Sequence, residues 1–113
     1  QRCRPWIERA IAIDRETSAD EVLSLILAGR AQLWPTEGAC IVTQCALSPG
    51  GALIHAWLGG GNLREMIQLR VGIEAYGRAM GCQFATIEGR RGWERLYRPH
   101  GYCLEDGVLR KRL

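Results

Sequence analysis

A-L-I-H-A-W-L-G-G-G-N-L-R-E-M-I-Q-L-R-V-G-I-E-A-Y-G-R-A-M-G-C-Q-F-A-T-I, residues 52–87, changes its hydrophobic period twice. Ala52 to Leu58 reads as a strand, and Gly59-Gly60-Gly61 is expected to stop it. Asn62, with Glu65 three residues on, opens the longest helix, Leu63 to Met80, which Gly81 ends. Met66, Leu69, Ile73, Tyr76 and Met80 form one apolar row, and Ile67, Val71, Ala75 and Ala79 form the next. A stripe that broad predicts a helix lying flat on a sheet. Gln83 to Ile87 then returns as a strand. Strand, helix, strand is a βαβ unit, so its two strands are predicted to be parallel neighbours.

Upstream, Arg4 to Ala12 spaces Trp6, Ile7, Ala10 and Ile11 on one helical stripe behind Pro5. Ser18-Ala19-Asp20-Glu21 is a capping box ahead of Val22, Leu23, Leu25, Ile26 and Leu27, a helix that Gly29 ends. From Ala31 the period becomes two. Ala31 to Trp34, Ala39 to Leu47 and Ala52 to Leu58 form a meander, its second turn at Ser48-Pro49-Gly50-Gly51. Downstream, Gly92 to Arg98 reads as a short helix. Tyr102 to Leu104 and Val108 to Arg112 read as a hairpin around Glu105-Asp106-Gly107. The fold class expected is α+β: a mixed, mostly antiparallel sheet flanked by helices.

With 113 residues, 47% of them hydrophobic and 24% charged, the chain fits one domain, 1–113, able to bury its own core. No apolar run approaches the roughly 18 residues of a membrane span, so no membrane contact is expected. The start at Gln1, with no initiator Met and no n-region/h-region pattern, reads as a trimmed terminus and not as a signal peptide. Five cysteines, Cys3, Cys40, Cys45, Cys82 and Cys103, are an odd number with no C-x-x-C and no zinc-ligand spacing. A reducing compartment, cytoplasmic or within a virion, is expected, with no disulfide framework and no metal.

The formal net charge is +3, and fourteen of the fifteen cations are Arg, a bias that fits a GC-rich genome. From Arg90 onward there are seven cations and three anions. Such a patch is either a solvated Arg-rich face or a seat for a phosphorylated ligand, nucleic acid or an acidic partner surface. Arg91, Arg95 and Arg98 share a helical face and are the expected partner-binding residues. No aromatic platform accompanies them, so nucleic acid is not the expected partner. Trp6 and Trp34 read as interface anchors.

This order of elements resembles the GNAT (Gcn5-related N-acetyltransferase) superfamily. The residues that carry the resemblance are Leu96-Tyr97-Arg98-Pro99-His100-Gly101-Tyr102, similar to the family's L-Y-x-x-x-G-F/Y segment. Ala75 to Cys82 with Phe84 to Ile87 is similar to its helix-Gly-strand passage. The resemblance spans roughly Ala31 to Leu113 and implies that strands 52–58 and 83–87 splay apart at one end.

The resemblance also implies an acetyl-CoA site at the turn into the long helix, through Gly59, Gly60, Gly61, Asn62 and Arg64. Free N–H groups and the helix dipole suit a pyrophosphate there. The family's [R/Q]-x-x-G-x-[G/A] signature is replaced by a tighter connection, with Glu65 expected to bring a carboxylate near the phosphates. Plain strand-to-helix turn and pyrophosphate cradle are both open readings. By the same resemblance Tyr97 matches the family's acid, and His55 or Glu88 is the candidate base.

Two functional classes follow. The first is a GNAT-fold protein with a degenerate acetyl-CoA site and no cofactor. The G-R-R-G-W-E-R-L run at 89–96 is similar to small phage and prophage proteins of this kind, which implies a virion or morphogenesis role through contact with phage structural proteins. The alternative is an active acetyl-CoA-dependent N-acyltransferase.

Overall fold

Ser18 and Asn62 each lie in extended backbone ahead of a helix, and each side-chain oxygen accepts the N–H three residues on, from Glu21 at 3.2 Å and Glu65 at 3.1 Å. These two caps start α2 (Ala19–Leu27) and α3 (Leu63–Ala79). The computed structural model describes residues 3–14, 18–88 and 92–113, with the backbone alone for 10–14. The remaining elements are α1 (Arg4–Asp14), β1 (Gln32–Pro35), β2 (Ala39–Ser48), β3 (Gly51–Gly61), β4 (Phe84–Glu88), α4 (Trp93–Tyr97), β5 (Cys103–Glu105) and β6 (Val108–Arg112).

The strands form one sheet in the order β1-β2-β3-β4-β6-β5. The β3/β4 pair is parallel and the other pairs are antiparallel, because α3 is the crossover that returns the chain in the same direction. Helices cover both faces of β2, so Ala39 to Thr43 is buried without alternation. On one face α3 packs Met66 and Ile73 against Ile41, Ile54, Ile87 and Leu109. On the other, α1 and α2 bring Ile7 and Val22 onto Cys40, Val42 and Leu58. Each fully buried Ile, Val or Leu contributes about 1.5–3 kcal/mol, which makes these two layers the main source of stability.

Three expectations are corrected. Gly59-Gly60-Gly61 does not stop β3: all three pair with β2, opposite Ile41, Cys40 and Ala39. Glycine is needed there for close approach, since a Cβ on Gly60 would stand 2.8 Å from the Cβ of Trp6 and one on Gly59 the same distance from Met66 Cε. Gly61 turns the chain at φ +101°. The second apolar row of α3 is only partly inward: Ile67 packs on the core, whereas Val71, Ala75 and Ala79 face solvent, as does Met80. Trp6 and Trp34 are half-buried and engaged within the fold, Trp6 on Gly60 and Trp34 edge-on to Tyr76 with its Nε1 donating to Thr43 at 2.9 Å.

The place left vacant by that outward row belongs to a carboxylate. Glu74, 3% exposed, accepts from the Tyr102 hydroxyl and from Lys111 Nζ, each at 2.8 Å, with Arg70 and Arg78 guanidinium nitrogens at 3.9 Å. The contacts tie α3 to β6 and to Tyr102, just before β5. A buried carboxylate without partners would cost several kcal/mol, so the cluster defines one docking of hairpin on helix. Glu74→Ala is expected to cost about 2–4 kcal/mol and Tyr102→Phe about 2 kcal/mol in urea unfolding. Equal stability of both variants and wild type would show that the cluster holds nothing.

Candidate functional site

The parallel pair runs from Leu53/Phe84 to Ala56/Ile87 and ends there, while β3 continues through 57–61 beside β2. β3 and β4 therefore part at one end. An extra residue, Trp57, sits in β3 where the register shifts opposite Val42 and Thr43, and a bulge of this kind bends the strand away.

Just before the parting, His55 lies opposite Gln44 on β2 and Thr86 on β4, and Thr86 lies opposite Arg110 on β6. One row of polar residues thus crosses four strands. His55 Nδ1 is 2.7 Å from Thr86 Oγ1, and Nε2 is 3.2 Å from Glu88 Oε1. An ionised carboxylate only accepts, so Glu88 places a proton on Nε2, and in the neutral ring Nδ1 takes the Thr86 O–H. The arrangement is a carboxylate–imidazole–hydroxyl chain spanning two parallel strands. Thr86 is 6% exposed, which locks the ring; Glu88 is exposed. All four row residues line a cavity of about 440 Å³, walled also by Leu53, Val108, Glu105 and Asp106. Arg110 is held with its guanidinium 3.7 Å above the Phe84 ring.

His55 and Glu88, predicted from separate strands, are thus brought together. Tyr97 is not beside them. It is 3% exposed on the α3 face of the sheet, packed edge-on to Tyr102 with ring centres 5.6 Å apart. Burial pushes its phenol up to about 12, against a smaller opposing pull from Arg70. Between Arg70, Tyr97 and Ile87 lies a space of about 10 Å³, enough for one water, and the buried Arg70 Nε has no hydrogen-bond partner among the described residues.

The turn proposed for the cofactor is closed by its own atoms. Asn62 N–H donates to the Gly38 carbonyl at 2.8 Å, Glu65 N–H to Asn62 Oδ1, and Gly38 N–H to Glu65 Oε1 at 3.1 Å. Glu65 therefore turns to Gly38, which corrects the expected projection toward phosphates. Trp6 lies on Gly60, and Arg64 is exposed. The amides of Gly38, Asn62 and Glu65 are thus engaged within the chain and are not on offer to a pyrophosphate.

Of the basic set, Arg95 is exposed and Arg98 bonds Glu94 one turn earlier. Arg91 lies outside the described residues, as do Arg90 and Gly89. Thr86, Arg110 and Gln44 were not predicted; their signal is the register itself, since each sits opposite the next across the sheet. Among the described residues no group of His, Cys, Asp and Glu is placed to hold a metal, and no helix is long and apolar enough to cross a membrane.

No protein-family model and no curated protein matches the sequence. Solved structures do match the fold. One is a GNAT family acetyltransferase from Brucella melitensis in complex with acetyl-CoA, at TM-score 0.62 and 14% identity over 97% of this chain and 79% of that one. Another is a GNAT family acetyltransferase from Listeria monocytogenes, at TM-score 0.58 and 14% identity over 99% of this chain and 86% of that one. The chain has the fold of these acetyltransferases, an α+β mixed sheet flanked by helices.

The raised Tyr97 phenol has a consequence at high pH. Below pH 10 both folded and unfolded chains keep the proton; between about 10 and 12 the unfolded chain loses it first, so stability falls. Phenolate absorbance of the folded protein is expected to show a step near pH 12 that Tyr97→Phe removes, along with part of the alkaline loss of stability. A Tyr97 step at pH 10 would mean the phenol is open to water.

Proposed function

We propose that this chain uses the acetyltransferase fold as a protein-contact module with a degenerate acetyl-CoA site, acting in a phage or prophage particle or its assembly. The observation that carries the first part is the closed turn: the Asn62, Glu65 and Gly38 bonds and the Trp6 side chain occupy the place where the fold would take a pyrophosphate. The particle role rests on the resemblance of the 89–96 run. Arg91, Arg95 and Arg98 are the proposed basic residues for an acidic segment of the partner. Rim charges of this kind give about 0.5–1 kcal/mol each and act mainly by steering.

A specific observation favours a second reading, an N-acyltransferase. His55, held between Glu88 and Thr86 at the mouth of a 440 Å³ cavity, is placed to receive a proton from an amine, with Glu88 stabilising the imidazolium. Tyr97, across the sheet from that pair, is the acid of this reading.

Calorimetric titration of the full chain with acetyl-CoA separates the readings. The first expects binding at roughly millimolar or weaker, about 4 kcal/mol or less, and no acetyl transfer to amines above background. Low-micromolar affinity overturns it. Turnover that falls about 100-fold in His55→Ala and in Glu88→Gln would then establish the enzyme.

A further inference from the structure

Cys45 and Cys82 stand with their sulfurs 3.9 Å apart, 37 positions apart in sequence. Cys45 is on β2, opposite Ile54, and is exposed; Cys82 lies in the connection from α3 to β4 and is buried. Cys3 and Cys40 belong to the other core layer, and Cys103 is exposed on β5. No disulfide links any of the five cysteines in the structure. The sulfurs are separated by about 2 Å more than a disulfide bond.

We propose that Cys45 and Cys82 form a redox modification site, a dithiol that closes to a disulfide on exposure to a low-molecular-weight disulfide such as oxidised glutathione. The Cys45 thiolate attacks a glutathione sulfur, the glutathione S–S bond breaks, and one glutathione thiolate leaves. The Cys82 thiolate then attacks the Cys45 sulfur, forming the protein disulfide and expelling the second glutathione. Two protein thiols are oxidised, one glutathione disulfide is reduced to two thiols, and the two protein protons end on them or in solvent.

Exposure makes Cys45 the entry point, and Cys82 the resolving thiol. The closed loop contains all of β3 and α3, so the bond would staple β2 to the far end of the βα unit that carries both His55 and the Gly59 to Asn62 turn. The sulfurs face each other across the α3 side of the sheet, whereas His55 is on the other side, so oxidation leaves the polar row uncovered. Desolvation and the neighbouring Cys82 push the Cys45 thiol up to about 11, which keeps the dithiol slow to react at neutral pH and makes closure faster in alkali.

The test uses the full chain carrying Cys103→Ser, so that the other exposed thiol takes no glutathione. Incubation with oxidised glutathione is expected to remove two hydrogens from the intact mass, and digestion to yield one peptide linking Cys45 to Cys82. The oxidised protein is expected to melt about 10 °C higher, and reductant to reverse both changes. With Cys82→Ser added, a glutathione adduct on Cys45 is expected to accumulate. Closure is expected to quicken roughly tenfold per pH unit from pH 7 toward 10. A stable Cys45 adduct beside an unreacted Cys82 thiol overturns the proposal, as does a disulfide to Cys3 or Cys40.

Discussion

Among the described residues Glu74 is the one charged side chain buried in the core, and the position of the last third of the chain depends on it. Its carboxylate receives Tyr102 and Lys111 from the β5 and β6 region while belonging to α3. That contact fixes the helix against β6, and β6 in turn is the outer neighbour of β4. Apolar packing would hold the same layers together with less discrimination, since Ile and Leu tolerate sliding. A bidentate polar contact accepts one register, and through it Thr86 and Glu88 on β4 are held at His55.

The sheet then does two different things at its two faces. On the face bearing the polar row, His55, Thr86 and Glu88 are satisfied by one another beside an open cavity. On the α3 face, Tyr97 is enclosed with Tyr102 and with the Ile54 and Ile87 layer. β3 and β4 part beyond Ala56 and Ile87, next to the bulge at Trp57. What differs from an anion-binding turn is local: β3 stays paired to β2 as far as Gly61, and Asn62 caps the helix at once. The connection is therefore short, with the strand running directly into its helix cap.

Much of the fold was legible because it depends on local chemistry. Ser18 and Asn62 are caps by residue type and spacing, Gly29 and Gly81 adopt the positive φ that ends their helices, and the parallel pairing follows from the length of α3. The extent of β3 was not legible, since three glycines read as a break until Trp6 and Met66 are seen pressing on them. Glu74 was hidden for another reason. With Arg70 and Arg78 four residues either side it reads as a solvated ion-pair face, and only the return of Lys111 and Tyr102 shows it to be inward. His55 and Glu88 were visible as residue types, but their meeting required the β3/β4 register, and Thr86 became significant only through it.

The closed state of the turn is read most directly from the backbone amides that form it. Amide NMR of the isotope-labelled full chain, titrated with acetyl-CoA, reports on Gly38, Gly60, Gly61, Asn62 and Glu65 one by one. The Asn62, Glu65 and Gly38 bonds predict that these signals stay in place until roughly millimolar ligand. Saturating shifts of the same amides at micromolar acetyl-CoA would contradict that, showing that the turn opens and takes the pyrophosphate.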